Sequence, residues 1–182
     1  MSGCISFCSV DLPEHELIDC EAYVEGAASA VVIGLCSSTL TNPSNGEEVL
    51  AEIAAGNARL ISNVRVDLPL PSAVLADSPV GGGAQIATTY DRTINIFDAN
   101  VTADNITFYN LLKSTRVAWI IVKEFGADRI TWIRPLNGLG IKFTGGRTIA
   151  AVKTEFQSFQ LIGAWSEQDD ADIYATPAGV FS

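Results

Sequence analysis

Four cysteines and one histidine near the start of the chain are the residues best suited to binding a metal. His15 lies among Cys4, Cys8, Cys20 and Cys36, and the rest of the chain contains neither residue type. Zinc sites built from these ligands usually contain closely paired cysteines separated by two residues. The cysteines here are separated by 3, 11 and 15 residues. This spacing favours free thiols over a zinc site, and we expect neither a metal nor another cofactor.

A second pattern has the ligand spacing of a calcium-binding loop. Oxygen-bearing side chains alternate along the segment at Asp98, Asn100, Thr102 and Asp104. A calcium loop also requires glycine at its sixth position and a bidentate glutamate at its twelfth. Those positions are Ala103 and Tyr109. We therefore interpret the segment as a turn whose side chains cap the helix that follows.

Neither glycine-rich segment has the context of a phosphate-binding loop. The three glycines at 81–83 follow a proline-containing connection rather than a strand, and the Gly138-Leu139-Gly140 segment lacks a third glycine at the dinucleotide-binding spacing. Both are interpreted as turns. His15 lies in an acidic, polar segment, which is unsuited to a dry catalytic pocket. The sequence therefore predicts a protein that is not an enzyme.

Length and composition favour one globular domain. The chain has 182 residues, of which 48% are hydrophobic and 18% are charged, and this length is sufficient to bury a substantial core. The sequence contains no apolar run near 18 residues, so we expect no membrane-spanning helix. The first 25 residues contain six acidic residues and no Lys or Arg, so we expect no secretion signal. We predict an N-terminal arm over 1–26 and a single β-rich domain over 27–182.

The elements of the first half of the domain follow from hydrophobic pattern and capping signals. Strands are predicted over 28–37, 60–66 and 84–97. A helix begins after Ser44 or Asn45 and ends at Gly56, and a second begins after Thr102 or Asp104. Three prolines in residues 67–83 argue against a central strand there, because proline has no amide donor. That segment is predicted to be a long surface loop.

Residues 116–165 have the pattern of a β-meander, with short apolar strands separated by Gly, Asn and Asp. The first strand, 116–123, is apolar at both odd and even positions. It is therefore either covered on both faces within the chain, or covered on one face by a neighbouring chain. In the last strand, the apolar positions change parity between Phe156 and Phe159, which predicts a one-residue bulge near Gln157 and Ser158.

Charge is segregated along the chain, which has a net charge of −10. Residues 1–58 contain nine acidic residues and no Lys or Arg; residues 113–153 have a net charge of +6, and residues 154–182 have a net charge of −5. The cations alternate with core residues and lack interleaved aromatic residues, which disfavours a nucleic-acid surface. Oppositely charged blocks can pair within one subunit or between copies. The candidate contacts between subunits are Arg129, Arg134, Lys142 and Arg147 with Glu14, Glu16, Asp169 and Asp170.

Four segments occur in an order that resembles structural proteins of tailed bacteriophages, of the tail-tube or connector-ring type. These segments read IDCEAYVEGAASAVVIG, EEVLAEIAAGNARLISNVR, YDRTINIFDANVTADNITFYNLL and GAWSEQDDADIYATPAGVF. The resemblance implies an α+β protein that is mainly β, with an antiparallel β-sandwich or barrel, one or two flanking helices and an extended arm or loop. It also implies a homo-oligomeric ring with an acidic inner surface, in contact with other virion proteins. DNA would then pass through without specific binding, and the protein, made in the host cytoplasm, would reside in the virion.

A β-sandwich that binds carbohydrate or another ligand is the alternative hypothesis. Trp119, Trp132 and Trp165 would provide its stacking surfaces. Under this alternative, their rings would lie at the surface rather than in the core.

Overall fold

The computed structural model describes residues 12–14, 28–77, 85–124, 128–135, 139–148, 158–167 and 171–181. Nine strands and two helices lie in these ranges, and all paired strands are antiparallel. The predicted mainly β class with few helices is therefore confirmed. The elements, in chain order, are β1 (Ala28–Leu35), α1 (Gly46–Ala54), β2 (Ala58–Asp67), β3 (Ser72–Asp77), β4 (Gln85–Asp98), α2 (Ala103–Ser114), β5 (Arg116–Lys123), β6 (Arg129–Ile133), β7 (Ile141–Thr148), β8 (Ser158–Glu167) and β9 (Asp172–Ala175).

Six strands form a closed ring of hydrogen-bonded neighbours. The order is β1-β2-β4-β8-β7-β5, and β5 pairs back to β1, so these strands make a small barrel. Closing a sheet on itself protects the strand edges inside the ring. The remaining strands extend the sheet from two positions: β3 pairs with β4, and β6 joins β5 to β9.

Strands β1 and β5 separate two hydrophobic clusters. Val31 and Ile33 of β1 face the barrel interior, whereas Val32 faces an outer cluster. In β5, the register with β1 shifts by one residue, so that Val117 faces the interior and Trp119 faces the outer cluster. Of the two alternatives that the sequence left open for this strand, the structure shows the first, with both faces buried within the chain. The outer cluster also receives Val49 of α1 and Val180 near the C-terminal end.

Helix α1 begins at one of the two predicted capping residues. The side chain of Asn45 accepts a hydrogen bond from the Glu47 backbone N–H at 3.2 Å. Its amide nitrogen donates to Glu48 at 3.1 Å. These bonds satisfy groups at the helix start that otherwise have no partner, and the two glutamates lie where the helix dipole favours anions.

Helix α2 packs against one end of the barrel. Thr102 caps it by accepting a hydrogen bond from the Asn105 backbone N–H at 3.1 Å. Phe108, Tyr109 and Leu112 are buried in the interior cluster. The rings of Tyr109 and Phe159 of β8 have centroids 4.9 Å apart. The helix therefore contributes its apolar face to the barrel core. Neither described helix has the length and hydrophobicity needed to cross a bilayer.

Two sequence predictions differ from the structure or fall outside it. The prediction of a loop over 67–83 is wrong for residues 72–77, which form β3. Pro69 and Pro71 precede that strand, and β3 lies at an edge, where the absent proline donors disrupt no pairing. The predicted bulge lies partly outside the described residues: Gln157 is not among them, and Ser158 is the first residue of β8.

A glutamate of α1 fastens the helix to the loop that follows β1. Glu52 Oε1 accepts hydrogen bonds from the Thr39 backbone N–H at 3.1 Å and the Thr39 hydroxyl at 2.9 Å. Burial alone would raise the pKa of Glu52, but hydrogen bonds from Thr39, Ser38 and Asn57 outweigh it and lower the pKa below its usual 4.5. The carboxylate form is therefore the one that the fold stabilises.

Replacing Glu52 with glutamine should make stability less dependent on pH in the acid range. A lowered folded-state pKa stabilises the protein above the unfolded-state pKa, and this stabilisation is lost as the pH falls through the folded value. We expect Glu52→Gln to cost about 1 kcal/mol at pH 7 and progressively less below pH ~4.5. Urea unfolding from pH 7 to pH 3 measures this difference. Thr39→Val should cost little when added to Glu52→Gln; additive losses would contradict the pairing.

Candidate assembly surfaces

The first candidate surface is a two-stranded ribbon that extends beyond the barrel, here called the wing. It consists of β3 and residues 85–89 of β4. Strand β8 pairs with β4 only from Tyr90 onward, and β2 pairs with it only from Asn95 onward, so residues 85–89 pair with β3 alone. At roughly 3.4 Å per residue, these five residues extend about 17 Å past the last β8 pair.

The wing and the segment leading into it expose apolar side chains. Four of the seven large exposed hydrophobic residues in the described chain lie in residues 68–75. Their relative exposures are 42% for Leu68, 93% for Leu70, 38% for Val74 and 53% for Leu75. Single exposed apolar residues are ordinary, but four within residues 68–75, two of them on the wing, are typical of an interaction surface.

The wing region is also free of cations in sequence. Residues 66–91 contain Asp67, Asp77 and Asp91 and no Lys or Arg. Asp91 accepts a hydrogen bond from the Ser166 hydroxyl of β8 at 2.6 Å, at the point where the wing leaves the barrel. Of these three, only Asp77 lies on the wing itself, so a partner for the wing would have to accommodate apolar side chains and one negative charge.

The second candidate surface is the sheet extension formed by β6 and β9. Strand β9 pairs with β6 from Arg129 to Trp132, and Ile173 of β9 is 63% exposed. Lys123 Nζ donates a hydrogen bond to the Thr176 hydroxyl at 2.8 Å. The ring of Tyr174 meets Trp132 edge-on, with centroids 5.8 Å apart. These contacts anchor β9 while leaving Ile173 at the surface.

The four basic residues selected from sequence lie in two groups rather than one. Arg129 and Arg134 are exposed at the two ends of β6; Lys142 and Arg147 are exposed on β7. Arg129 forms an ion pair with Glu124 across the β5–β6 connection. The Arg134 guanidinium lies 5.6 Å from the centroid of the Trp132 ring. Only the β6 group borders the edge of β9.

Three of the four acidic residues selected from sequence lie outside the described residues: Glu16, Asp169 and Asp170. Glu14 is described and exposed. It follows Leu12, which is buried in the barrel interior, with its carbonyl accepting hydrogen bonds from Arg59 Nε at 2.9 Å and from a terminal guanidinium nitrogen at 2.6 Å. Part of the predicted N-terminal arm is thus anchored to its own barrel. Contact between these acidic residues and a neighbour stays a prediction.

The tryptophans on which the ligand-binding alternative depends are buried. Trp119 is 2% exposed, and Trp132 and Trp165 are each 7% exposed. Trp119 and Trp132 belong to the outer cluster, and Trp165 belongs to the barrel interior. Their rings are therefore core residues, and the expectation that they form a surface stacking platform is wrong.

The segment with calcium-loop spacing is a hydrogen-bonded turn. Buried Asp98 accepts hydrogen bonds from the Asn100 backbone N–H at 2.7 Å and from the Tyr109 hydroxyl at 2.6 Å. The Asn105 amide donates to the Asn100 carbonyl at 2.9 Å. The pKa of Tyr109 is raised above its usual range, mainly by burial and secondly by the negative charge of Asp98 and the hydrogen bond to it. The segment is therefore a turn with a helix-capping side chain, as predicted, and the bond from Tyr109 to Asp98 also ties α2 to the end of β4.

The potential metal ligands of the described chain are dispersed. In that part of the molecule, no group of three or more His, Cys, Asp or Glu residues is placed to hold a metal ion. Cys36 is half-buried, and its Sγ donates to the Arg116 carbonyl at 3.4 Å. The other three cysteines and His15 lie outside the described residues. Comparison with family models, curated proteins and solved structures found no match to this chain.

Proposed function

We propose that this protein is a non-enzymatic structural subunit of a virion, which assembles into a homo-oligomeric ring of a phage tail or head-tail connector. The exposed apolar wing is the observation that favours this assembly role. A two-stranded ribbon has little stability by itself in water, because neither of its faces is buried. A protein that keeps such a ribbon exposed needs a partner surface to cover it.

The segregation of charge supports copies of the same chain as the partners. Segments of opposite charge can attract each other between molecules and orient the encounter. Contact between two different surfaces of identical subunits is heterologous, and it closes into a ring when the rotation between neighbours allows.

The acidic balance of the chain also fits a passage for DNA. A ring with a net charge of −10 per subunit repels phosphate groups rather than binding them, since affinity for DNA comes mainly from Lys and Arg contacts to phosphates. The ring would thus let DNA through without retaining it, and it would contact other virion proteins above and below.

The wing supplies a test of the proposed assembly. Val74→Asp combined with Leu75→Asp should convert the ring to monomers, because two carboxylates would have to be desolvated at the contact. Light scattering after size-exclusion chromatography at low salt measures the mass. The wild-type chain should elute as an oligomer of defined mass and the double variant as a 19.3 kDa monomer.

Leu139→Asp is the matched control for the wing substitutions. Leu139 is 57% exposed, close to the 53% of Leu75, but it lies between β6 and β7 rather than on the wing. The control should keep the wild-type mass. Equal loss of assembly in both variants would show that any added surface carboxylate disrupts the oligomer. That result would contradict the assignment of the wing as the assembly contact.

A further inference from the structure

Two strands of the described sheet each have a single hydrogen-bonded neighbour. Strand β3 pairs only with β4, and β9 pairs only with β6, whereas every other described strand has at least two neighbours. These two strands lie on different extensions of the barrel. Strands β3 and β9 are thus the two terminal strands of the described sheet, and they belong to different surfaces.

Strand β3 has few of the features that usually protect an exposed edge. Natural edge strands are commonly protected by Lys, by proline within the strand, by an inward-pointing charge or by a β-bulge. Of these, β3 has only a register shift in its pairing with β4, between Val74 and Leu75. Strand β3 reads SAVLAD and has no charged residue before Asp77, its last position. Its backbone and its exposed Val74 and Leu75 are therefore suited to pairing with another strand.

We propose that the wing of one copy binds the β6–β9 extension of the next copy, with the edge of β3 pairing with the edge of β9. This inference rests on the ring assembly proposed above. Backbone hydrogen bonds between the two edges would continue the sheet from one subunit to the next. Val74 and Leu75 lie on opposite faces of β3, so one of them would then lie on the same face as Ile173, the exposed apolar residue of β9. Each copy would give its wing to one neighbour and its β9 edge to the other.

Charge favours this pair of surfaces over a contact between two wings. The wing contains one charged residue, Asp77, so two wings would bring like charges together. The β6–β9 extension exposes Arg129 and Arg134 at the ends of β6, against one exposed carboxylate, Asp172 of β9. Opposite charges at the rim of a contact guide association and disfavour the wrong pairing. The contact is therefore head-to-tail, as a ring requires.

Mixing two variants tests this pairing directly. The first is the wing variant, Val74→Asp with Leu75→Asp, and the second is Ile173→Asp on the β9 edge. Each should be monomeric alone. When mixed in equal amounts, the intact wing of the second can bind the intact edge of the first, and the two defective surfaces then prevent further growth. The mixture should therefore contain a dimer with the mass of two chains and no rings.

Failure of this inference can be distinguished from failure of the proposed function. Rings of wild-type mass formed by Ile173→Asp would overturn the pairing with β9 while leaving ring assembly intact. A mixture that stays monomeric, with both variants retaining wild-type far-UV circular dichroism, would also overturn it. A wild-type chain that forms no oligomer would instead contradict the proposed function itself.

A variant outside β9 provides an independent test in case Ile173→Asp disturbs the strand. Arg134→Glu reverses a charge beside the proposed contact on the β6–β9 extension, and it leaves every backbone pair of β9 unchanged. We expect it to raise the concentration for half-assembly on the order of tenfold. Lys142→Glu, on β7, should have a much smaller effect. Equal effects from the two reversals would contradict the placement of the acidic wing beside β6.

Discussion

Replacing Gly34 with valine is expected to abolish folding, and replacing it with alanine should cost about 3 kcal/mol or more. A Cβ atom on Gly34 would lie 1.9 Å from Cε2 of Trp119 and 2.4 Å from two further ring atoms. The indole cannot move aside easily, because it is buried and its Nε1 donates a hydrogen bond to the Ser38 hydroxyl at 2.9 Å. Urea unfolding of the alanine variant measures the loss, and expression in soluble form assesses the valine variant.

Gly146 provides the matched control for this prediction. It also lies in a strand, but a Cβ atom there would meet nothing within 4 Å. Gly146→Ala should be neutral or slightly stabilising, because alanine loses less backbone entropy on folding. The same glycine-to-alanine change should therefore lower the free energy of unfolding at Gly34 and leave it unchanged or slightly raised at Gly146. Trp119→Leu combined with Gly34→Ala should be less destabilising than the sum of the two single changes; strict additivity would contradict the contact.

Replacing Tyr109 with phenylalanine is expected to destabilise the fold by about 2–4 kcal/mol. The Tyr109 hydroxyl donates to Asp98, and both residues are almost fully buried, at 0% and 1% exposed. Removing the hydroxyl leaves a buried carboxylate with one donor fewer. Asp98→Asn in the Tyr109→Phe background should recover part of the loss, because the carboxylate charge is then absent. No recovery in urea unfolding would contradict this account.

The same pair should control stability at alkaline pH. Burial and Asp98 raise the pKa of Tyr109 in the folded protein, whereas an unfolded tyrosine has a pKa of about 10. The stabilisation is fully present below the unfolded value and is lost as the pH rises above it. The wild type should lose up to ~1.4 kcal/mol per pH unit more than Tyr109→Phe above pH ~10. Parallel curves for the two proteins would exclude this linkage.

Local sequence signals predicted most elements of the fold. Asn45 and Thr102 cap the two helices as expected, because capping depends on one side chain and the nearest backbone amides. The apolar pattern of β5 predicted burial on both faces, since a strand with apolar residues at both parities cannot have a solvated face. Signals of this kind involve residues close together in sequence and are therefore readable without the fold.

Strand β3 was missed because its prolines gave a misleading signal and its pairing depends on a second strand. Pro69 and Pro71 do exclude a central strand, but they lie before β3 rather than within it. The register that pairs Ser72 with Asp91 fixes β3 against β4. The uncharged sequence of 72–76 is compatible with an exposed strand, but it does not specify which strand pairs with it. The wing therefore becomes visible only in the folded chain.

The tryptophans and the basic residues illustrate a second limit of sequence reading. An indole is equally suited to a core and to a stacking surface, and only the two-cluster packing of the barrel buries Trp119 and Trp165. The basic block is continuous in sequence, yet the β6 and β7 strands place Arg134 and Lys142 on separate parts of the sheet. Basic residues that are close together along the chain are therefore not all close together in the folded protein.

Ring assembly through the wing can be tested by electron microscopy of the purified wild-type chain at high protein concentration and low salt. We expect closed rings of uniform diameter with a central opening, and we expect their loss in the Val74→Asp, Leu75→Asp variant imaged in parallel. Isolated particles of monomer size in both samples, from protein with a cooperative unfolding transition, would contradict it.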